Sequence, residues 1–134
     1  MQGLRCRRQD RRSGALTPLQ TIPATPSEFT GYSTGAEISV DQAGRNVYVS
    51  NRGHDSIGVF AIDPAKGTLS PRQWVPTHGR TPRFFAFDPT QRFLYVANQD
   101  SRSIVGYRVG RDGHLAPTRI RIRVGSPACI VFSR

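Results

Sequence analysis

The sequence predicts an all-β fold built from a repeated four-stranded unit. Three observations lead to this prediction: many turn-forming residues, short apolar runs that alternate with period two, and an internal repeat. The chain has 134 residues, of which 13 are Gly and 10 are Pro. That many turn formers favours short strands over long helices. Hydrophobic residues make up 37% of the chain, so it can form a packed core.

The internal repeat is visible when residues 37–62 are written above residues 84–109. The two segments align without a gap at an offset of 47 residues. Identical residues that recur in both copies include Asp41 and Asp88, Arg45 and Arg92, Tyr48 and Tyr95, Asn51 and Asn98, and Ser56 and Ser103. Because self-similarity at a fixed period marks a supersecondary unit, we expect two complete units, at about 31–77 and 78–124.

Each unit contains four strand signals joined by short turns. In the first unit they are "AEISVD" (36–41), "RNVYVSN" (45–51), "SIGVFAI" (56–62) and "LSPRQWVP" (69–76). In the second they are "RFFAFD" (83–88), "RFLYVAN" (92–98), "SIVGYRV" (103–109) and "LAPTRIRIRV" (115–124). The connectors "QAG", "PTQ" and "GRDG" are turn-like. "TRIRIRV" alternates apolar residues with arginines, which is typical of an outer strand with one solvated face.

Fragments of further units lie on both sides of the two complete ones. "GALTP" (14–18) repeats "GTLSP" (67–71), and "SPACIVF" (126–132) echoes "TPRFFAF" (81–87). We therefore expect partial strands over 14–30 and 125–132. Four antiparallel strands repeating every ~40–50 residues are typical of a β-propeller blade, and a duplicated β-sandwich is the alternative. The prediction is a partial β-propeller over 14–134, too short to close a ring of about 4–8 blades.

The net charge of +10 comes almost entirely from arginine, since the chain contains a single lysine, Lys66. Five arginines and Asp10 lie in the first twelve residues, so this segment contributes five minus one, or +4. We expect residues 1–13 to form a disordered, Arg-rich leader. The other arginines form no stripe and no nucleic-acid module surrounds them, so a nucleic-acid partner is not expected.

The remaining composition restricts location and cofactors. No apolar run reaches the ~20 residues of a membrane span, and the N-terminal segment lacks the apolar stretch of a signal peptide. Cys6 and Cys129 lie at opposite ends and form no disulfide framework, so a cytoplasmic location is expected. The three histidines show no metal-ligand spacing, and neither a metal nor a cofactor is expected.

The repeated segments also resemble a known family. "AEISV" (36–40), "GRNVYVSNRGHDSIGVF" (44–60), "TPRFFAFDPTQRFLYVANQDS" (81–101) and "SPACIVF" follow one another as in the seven-bladed propeller lactonases of the 6-phosphogluconolactonase type. The resemblance covers about 14–132 and corresponds to the carboxy-terminal third of such an enzyme, which implies a truncated or fragmentary member of an ancestrally seven-bladed fold. Two residues depart from the usual pattern: Ser39 replaces a His, and Gln91 replaces a Gly.

The resemblance implies hydrolysis of a small-molecule sugar lactone, such as 6-phosphogluconolactone, in the pentose phosphate pathway of glucose metabolism. Opening a lactone requires cations that hold anionic groups and polarise the carbonyl, and a carboxylate that orients the attacking water. The family motifs "AEI", "SNR", "PR" and "ANQ" place these roles on specific residues. Glu37, Arg52 and Arg83 are implied as catalytic residues, and His54 and Gln99 as substrate-binding residues.

Several alternatives remain open from the sequence. Glu37 and Arg83 could form an ion pair between blades, and Arg52 could cap a strand end. The chain could be a non-catalytic propeller interaction module or a lactonizing enzyme of the muconate type, and this fragment alone could be inactive. Self-association through the exposed apolar faces of the outermost blades is a further expectation.

Overall fold

The computed structural model describes residues 3–133, in which all regular secondary structure is β-strand. The first six strands are β1 (Gly3–Gln9), β2 (Leu16–Pro23), β3 (Thr34–Val40), β4 (Asn46–Arg52), β5 (Ser56–Ile62) and β6 (Leu69–Pro76). The remaining four are β7 (Pro82–Phe87), β8 (Phe93–Asn98), β9 (Ser103–Val109) and β10 (Leu115–Arg123). No helix in this range is long and apolar enough to cross a membrane.

The strands form three antiparallel sheets that correspond to propeller blades. β1 and β2 form a two-stranded sheet, here called blade I. Blade II has the strand order β3-β4-β5-β6, and blade III the order β7-β8-β9-β10. The two complete blades and the all-β, partial-propeller fold predicted from the repeat are thus confirmed. β5 and β9 have the same bounds as the predicted strands.

The blades pack face to face, so the hydrophobic core lies between them. On β4, Val47 and Val49 face blade I, whereas Tyr48 faces blade III, as the period-two alternation of a strand requires. The core between blades II and III is formed by Tyr48, Ile57, Val59, Val75, Phe85, Leu94, Val96, Val105, Tyr107 and Leu115. Because blade II is covered on both faces, its central strands β4 and β5 are almost entirely buried.

The N-terminal segment differs from the sequence expectation of a disordered leader over 1–13. Gly3–Gln9 form β1, which pairs with β2 in the register Leu4 to Ile22. Leu4 is buried and Cys6 half-buried, while the arginines between and after them are exposed. A strand at the edge of a core needs only one apolar face, so a high density of arginine does not prevent it from forming. Residues 1–2 of the predicted leader lie outside the described residues.

The segment after β10 also differs from expectation, because a partial strand was predicted over 125–132. Residues 124–133 form no strand in the structure. A strand requires a neighbouring strand that accepts and donates its backbone hydrogen bonds, and the described residues place none beside this segment. Phe132 nevertheless packs against Tyr95 of blade III, with ring centroids 5.7 Å apart.

Repeated side-chain hydrogen bonds join each blade to the preceding one. Asn51 Nδ2 donates to the carbonyl of Ala24 at 2.9 Å, and Asn98 Nδ2 donates to the carbonyl of Thr77, also at 2.9 Å. Asn51 and Asn98 are repeat equivalents, as the alignment of the units shows. Their recurrence therefore reflects blade architecture, as the sequence suggested.

The strand connectivity defines two ends of the blades. The turns β3–β4, β5–β6, β7–β8 and β9–β10 lie together at one end, here called the turn end. The β4–β5 and β8–β9 loops lie at the opposite end, with the beginnings of β3 and β7. This second end is called the site end, because it carries the predicted site residues.

Candidate functional site

A small pocket at the site end brings the two predicted catalytic arginines together. Its volume is about 210 Å³, and it is lined by Gly35, Ala36, Arg52, Arg83 and Ala128. Arg52 is the last residue of β4 and Arg83 is the second residue of β7, so adjacent blades supply the two guanidinium groups. The alternation and the repeat predict where Arg52 and Arg83 lie on their strands. The stacking of the blades makes the two residues neighbours.

Three of the lining residues occupy equivalent positions in successive units. Ala36, Arg83 and Ala128 align in "GAE", "PRF" and "PAC" of the innermost segments. The innermost strands of a propeller surround its central channel, and here these three positions line the same pocket. The resemblance did not single out Ala36 or Ala128. Their alignment with Arg83 in the repeat is the sequence feature that could have identified them as lining residues.

The Arg52 guanidinium group donates one hydrogen bond to the backbone and keeps one buried donor without a partner among the described residues. Its Nη2 donates to the carbonyl of Gly35 at 3.3 Å. Its Nε is buried and has no hydrogen-bond partner within residues 3–133. A buried N–H without a partner is costly, so this donor is suited to an incoming acceptor. Guanidinium N–H groups form strong, charge-assisted hydrogen bonds with carboxylate or phosphate oxygens.

Two positively charged side chains line the pocket. Among the described residues, no carboxylate is part of its lining. Across the described part of the chain, the ion pair found is His114 with Asp112, at 2.9 Å and far from this pocket. Glu37 and Arg83 therefore form no ion pair in this structure, contrary to the alternative left open by the sequence. Two neighbouring cations without a counter-charge favour an anionic ligand.

Glu37 lies beside the pocket rather than in its lining. It follows Ala36 on β3, within an irregularity in the pairing of β3 with β4. Its backbone N–H donates to Ser50 Oγ at 3.0 Å, and its Oε1 accepts the N–H of Ile38 at 3.1 Å. β-Bulges of this kind redirect side chains next to functional sites. Glu37 is half-buried and directly follows Ala36 of the pocket lining.

His54 and Gln99 are not part of the pocket lining. His54 Nδ1 lies 2.7 Å from Ser56 Oγ, and its ring contacts Phe29 edge-on with centroids 4.6 Å apart. The backbone of Gln99 accepts a hydrogen bond from Arg102 at 3.3 Å in the β8–β9 turn. The family motifs group both residues with Arg52, but of the five predicted site residues only Arg52 and Arg83 line this pocket. Within residues 3–133, no three His, Cys, Asp or Glu side chains cluster as metal ligands.

Comparison with known proteins gives a consistent result. A family model described as "Lactonase, 7-bladed beta-propeller" matches residues 5–132. The 6-phosphogluconolactonase of Bacillus subtilis (strain 168) is 39% identical over 121 residues, which cover 90% of this chain and 35% of the relative. The family match begins inside β1, so it includes most of the segment expected to be a leader.

Two solved structures share this fold over most of the chain. The periplasmic gluconolactonase PpgL of Pseudomonas aeruginosa superimposes with a TM-score of 0.84 and 34% identity, over 90% of this chain and 34% of that one. A protein from Lactobacillus plantarum superimposes with a TM-score of 0.88 and 30% identity, over 92% of this chain and 36% of that one. The chain spans about a third of the length of the relatives that it matches.

Proposed function

This chain belongs to the lactonase family of seven-bladed β-propellers, and from that premise we propose that it is a lactone hydrolase of the 6-phosphogluconolactonase type. It would convert a sugar lactone to the sugar acid. The relatives' names support the reaction class. The observation that carries the site assignment is the pocket lined by Arg52 and Arg83, in which the buried Arg52 Nε has no hydrogen-bond partner within residues 3–133.

In this proposal the two arginines bind the anionic substrate and stabilise the charge that develops during hydrolysis. A water oxygen attacks the lactone carbonyl carbon, the carbon–ring oxygen bond breaks, and the ring oxygen takes up a proton. Arg52 and Arg83 would hold the substrate's phosphate or polarise its carbonyl oxygen. Stabilisation of a developing oxyanion by positioned donors is usually the largest catalytic contribution. Glu37, next to Ala36, would orient the attacking water, a contribution of about 10²–10⁴-fold.

His54 and Gln99 have supporting roles in the proposal. The contacts of His54 with Ser56 and Phe29 favour a role in holding the loop that follows Arg52. Gln99 occupies the position in blade III that Arg52 occupies in blade II, so it would extend the substrate-binding surface without adding charge.

The test compares hydrolysis of 6-phosphogluconolactone by the chain and by its Arg52→Ala variant. Arg52→Ala should lower kcat/KM by about 10²–10³-fold, because it removes a charged donor that stabilises the transition state. Arg119→Ala is the matched control, because Arg119 is exposed on β10 and outside the pocket lining. This control should change kcat/KM less than twofold. Circular dichroism of both variants verifies that they are folded.

Binding of the product, 6-phosphogluconate, provides a second measurement that does not require turnover. The chain should bind the product, and Arg52→Ala should weaken that binding at least tenfold. Equal hydrolysis and equal product binding by the chain and the Arg52 variant would refute the site assignment. Turnover of a muconate-type substrate without lactone hydrolysis would instead identify a lactonizing enzyme, and a chain that neither hydrolyses the lactone nor binds the product would refute the proposed function.

A further inference from the structure

A larger cleft lies at the turn end, between blades II and III. Its volume is about 790 Å³. The half-buried side chains of Phe87 and Val109 contribute its apolar part. Four arginines line it: Arg45, Arg92, Arg108 and Arg111. They come from both blades, and the site-end pocket shares none of them.

The carboxylates near this cleft are occupied by the chain's own groups. Asp41 is the acidic residue in the cleft lining, and its oxygens accept the backbone N–H of Arg45 and the Nδ2 of Asn46, both at 2.8 Å. Asp88 accepts the N–H groups of its own turn, including that of Phe93 at 2.8 Å. Asp112 pairs with His114.

The four guanidinium groups outnumber the single carboxylate in the cleft lining. Within residues 3–133 no arginine lies within ion-pair distance of a carboxylate. Four positive charges and one carboxylate, that of Asp41, leave an excess of three positive charges in the cleft lining. Guanidinium groups bind phosphate oxygens bidentately and remain charged at all relevant pH values.

The wall of the cleft is held in place by hydrogen bonds between the blades. Two side chains of blade II donate hydrogen bonds to the β9–β10 turn of blade III. The Tyr48 hydroxyl donates to the carbonyl of Gly113 at 2.7 Å, and Arg72 Nη1 donates to the carbonyl of Asp112 at 3.0 Å. Arg45 Nη2 also reaches the carbonyl of Arg111, at 3.4 Å. A preformed site loses less entropy when it binds a ligand than a loose one does.

We propose that this cleft binds a small oligophosphate, a ligand that carries two or more linked or neighbouring phosphate groups. Its volume falls within the roughly 300–1,000 Å³ of ordinary small-molecule sites. One phosphate can engage two guanidinium groups, so four arginines around one cleft match more than one phosphate. The arginines surround a concavity rather than forming a stripe, which favours a compact anion over a nucleic-acid strand. The site is separate from the proposed lactone site, which lies at the other end of the blades.

The experiment measures binding of tripolyphosphate to the whole chain by isothermal titration calorimetry, at low salt and at about 150 mM salt. Arg92→Gln combined with Arg108→Gln should weaken tripolyphosphate binding at least tenfold. Arg119→Gln combined with Arg123→Gln removes the same charge from exposed positions of β10 outside the cleft lining. This control pair should change the affinity less than twofold.

Four outcomes would overturn the inference. The chain could show no binding of tripolyphosphate, or both double variants could lose affinity equally, which would indicate only a diffuse positive surface. A single-stranded oligonucleotide could bind without being displaced by tripolyphosphate, which would indicate a polymer partner. Finally, Arg52→Gln with Arg83→Gln could weaken tripolyphosphate binding as much as the cleft variants do. That result would place the anion at the site end and would leave the proposed lactonase function standing.

Discussion

At the scale of single residues, Gln91 shows how a substitution in a turn is tolerated. Gln91 has φ 59°, in the left-handed region that favours glycine. Its equivalent in the first unit is Gly44, with φ 67°. The sequence departs from the family pattern at Gln91, and the backbone keeps the glycine conformation there. The β7–β8 turn therefore retains its shape at the cost of local strain.

Replacing Gln91 with Gly should stabilise the protein by about 0.5–1 kcal/mol. Removal of the left-handed strain is worth about 1–2 kcal/mol, and the greater freedom of glycine in the unfolded chain offsets about 0.5–1 kcal/mol of it. The only side-chain bond of Gln91 in the described residues is a long one, 3.4 Å from the N–H of Gln42. Urea unfolding measures the change.

The reverse substitution, Gly44→Gln, is the control. No heavy atom lies within 4 Å of a Cβ placed at Gly44, so only backbone strain opposes a side chain there. It should therefore destabilise the protein by about 1 kcal/mol. A stabilising effect of Gly44→Gln, or a destabilising effect of Gln91→Gly, would contradict the explanation by strain.

At the scale of elements, two glutamines join the outer strands of neighbouring blades. Gln20 on β2 donates its Nε2 to the carbonyl of Leu69 and accepts the N–H of Leu69 at its Oε1, at 2.9 and 2.7 Å. Gln73 on β6 makes the same two bonds with Leu115, at 2.9 and 2.8 Å. Each amide side chain thus pairs with a strand of the next blade as a backbone amide would.

Replacing Gln73 with Ala should destabilise the protein by about 2 kcal/mol. Leu115 is only 3% exposed, so the substitution leaves its buried N–H and C=O without partners. Chemical unfolding measures the effect. Gln42→Ala is the matched control, because Gln42 is exposed in the β3–β4 turn, and it should change stability by less than about 0.5 kcal/mol. Equal effects of the two substitutions would show that the amide bonds contribute nothing specific to blade docking.

The outer strand β10 lacks the glutamine that β2 and β6 have at this position. By alignment of "GTLSPRQ" with "GHLAPTR", Arg119 stands where the earlier blades have Gln20 and Gln73. Arg119, Arg121 and Arg123 are exposed, as the alternation of "TRIRIRV" predicts. On the other face, Ile120 is half-buried but Ile122 is 48% exposed. Blade III is therefore covered on the face toward blade II and less well covered on the other.

At the scale of the whole molecule, two buried tyrosines connect blades II and III in opposite directions. Tyr48 of blade II donates to the carbonyl of Gly113, and Tyr107 of blade III donates to the carbonyl of Pro76. Burial raises the pKa of Tyr48, with Asp41 and Asp112 adding to the effect. Burial also raises the pKa of Tyr107, to about 12, against a smaller lowering by Arg121.

These pKa shifts predict a loss of stability in alkaline solution. The folded-state pKa of Tyr107 lies above its unfolded value of about 10, so its stabilising contribution is complete below pH ~10. It is lost as the pH rises from there through about 12. Tyr107→Phe should lower stability by about 1 kcal/mol at neutral pH and reduce the alkaline slope. Unfolding measured between pH 8 and about 12 checks this.

Tyr32→Phe provides the comparison for the alkaline prediction, because Tyr32 is 84% exposed. Its substitution should leave both the neutral-pH stability and the alkaline slope unchanged. If Tyr107→Phe retained the full alkaline slope, ionisation of this buried phenol would not be the cause of the loss.

The sequence by itself determined the eight strands of the two complete blades and the turns that join strands within each blade. These features depend on the period-two alternation of apolar residues within each strand and on the internal repeat, and both can be read directly from the order of the residues. The positive φ of Gln91 agrees with that of Gly44, its equivalent in the repeat. The family motifs "SNR" and "PR" also point to Arg52 and Arg83 without reference to the structure.

Only the tertiary structure decided which side chains meet. It placed Ala128 beside Arg83 and left His54 and Gln99 outside the pocket, because the pocket forms where separate units stack. The tertiary structure also explains why the Arg-rich N-terminal segment forms β1. Leu4 of this strand is buried against apolar residues of blade II. Contacts between units depend on how the blades dock, and local sequence patterns describe strands without specifying their neighbours.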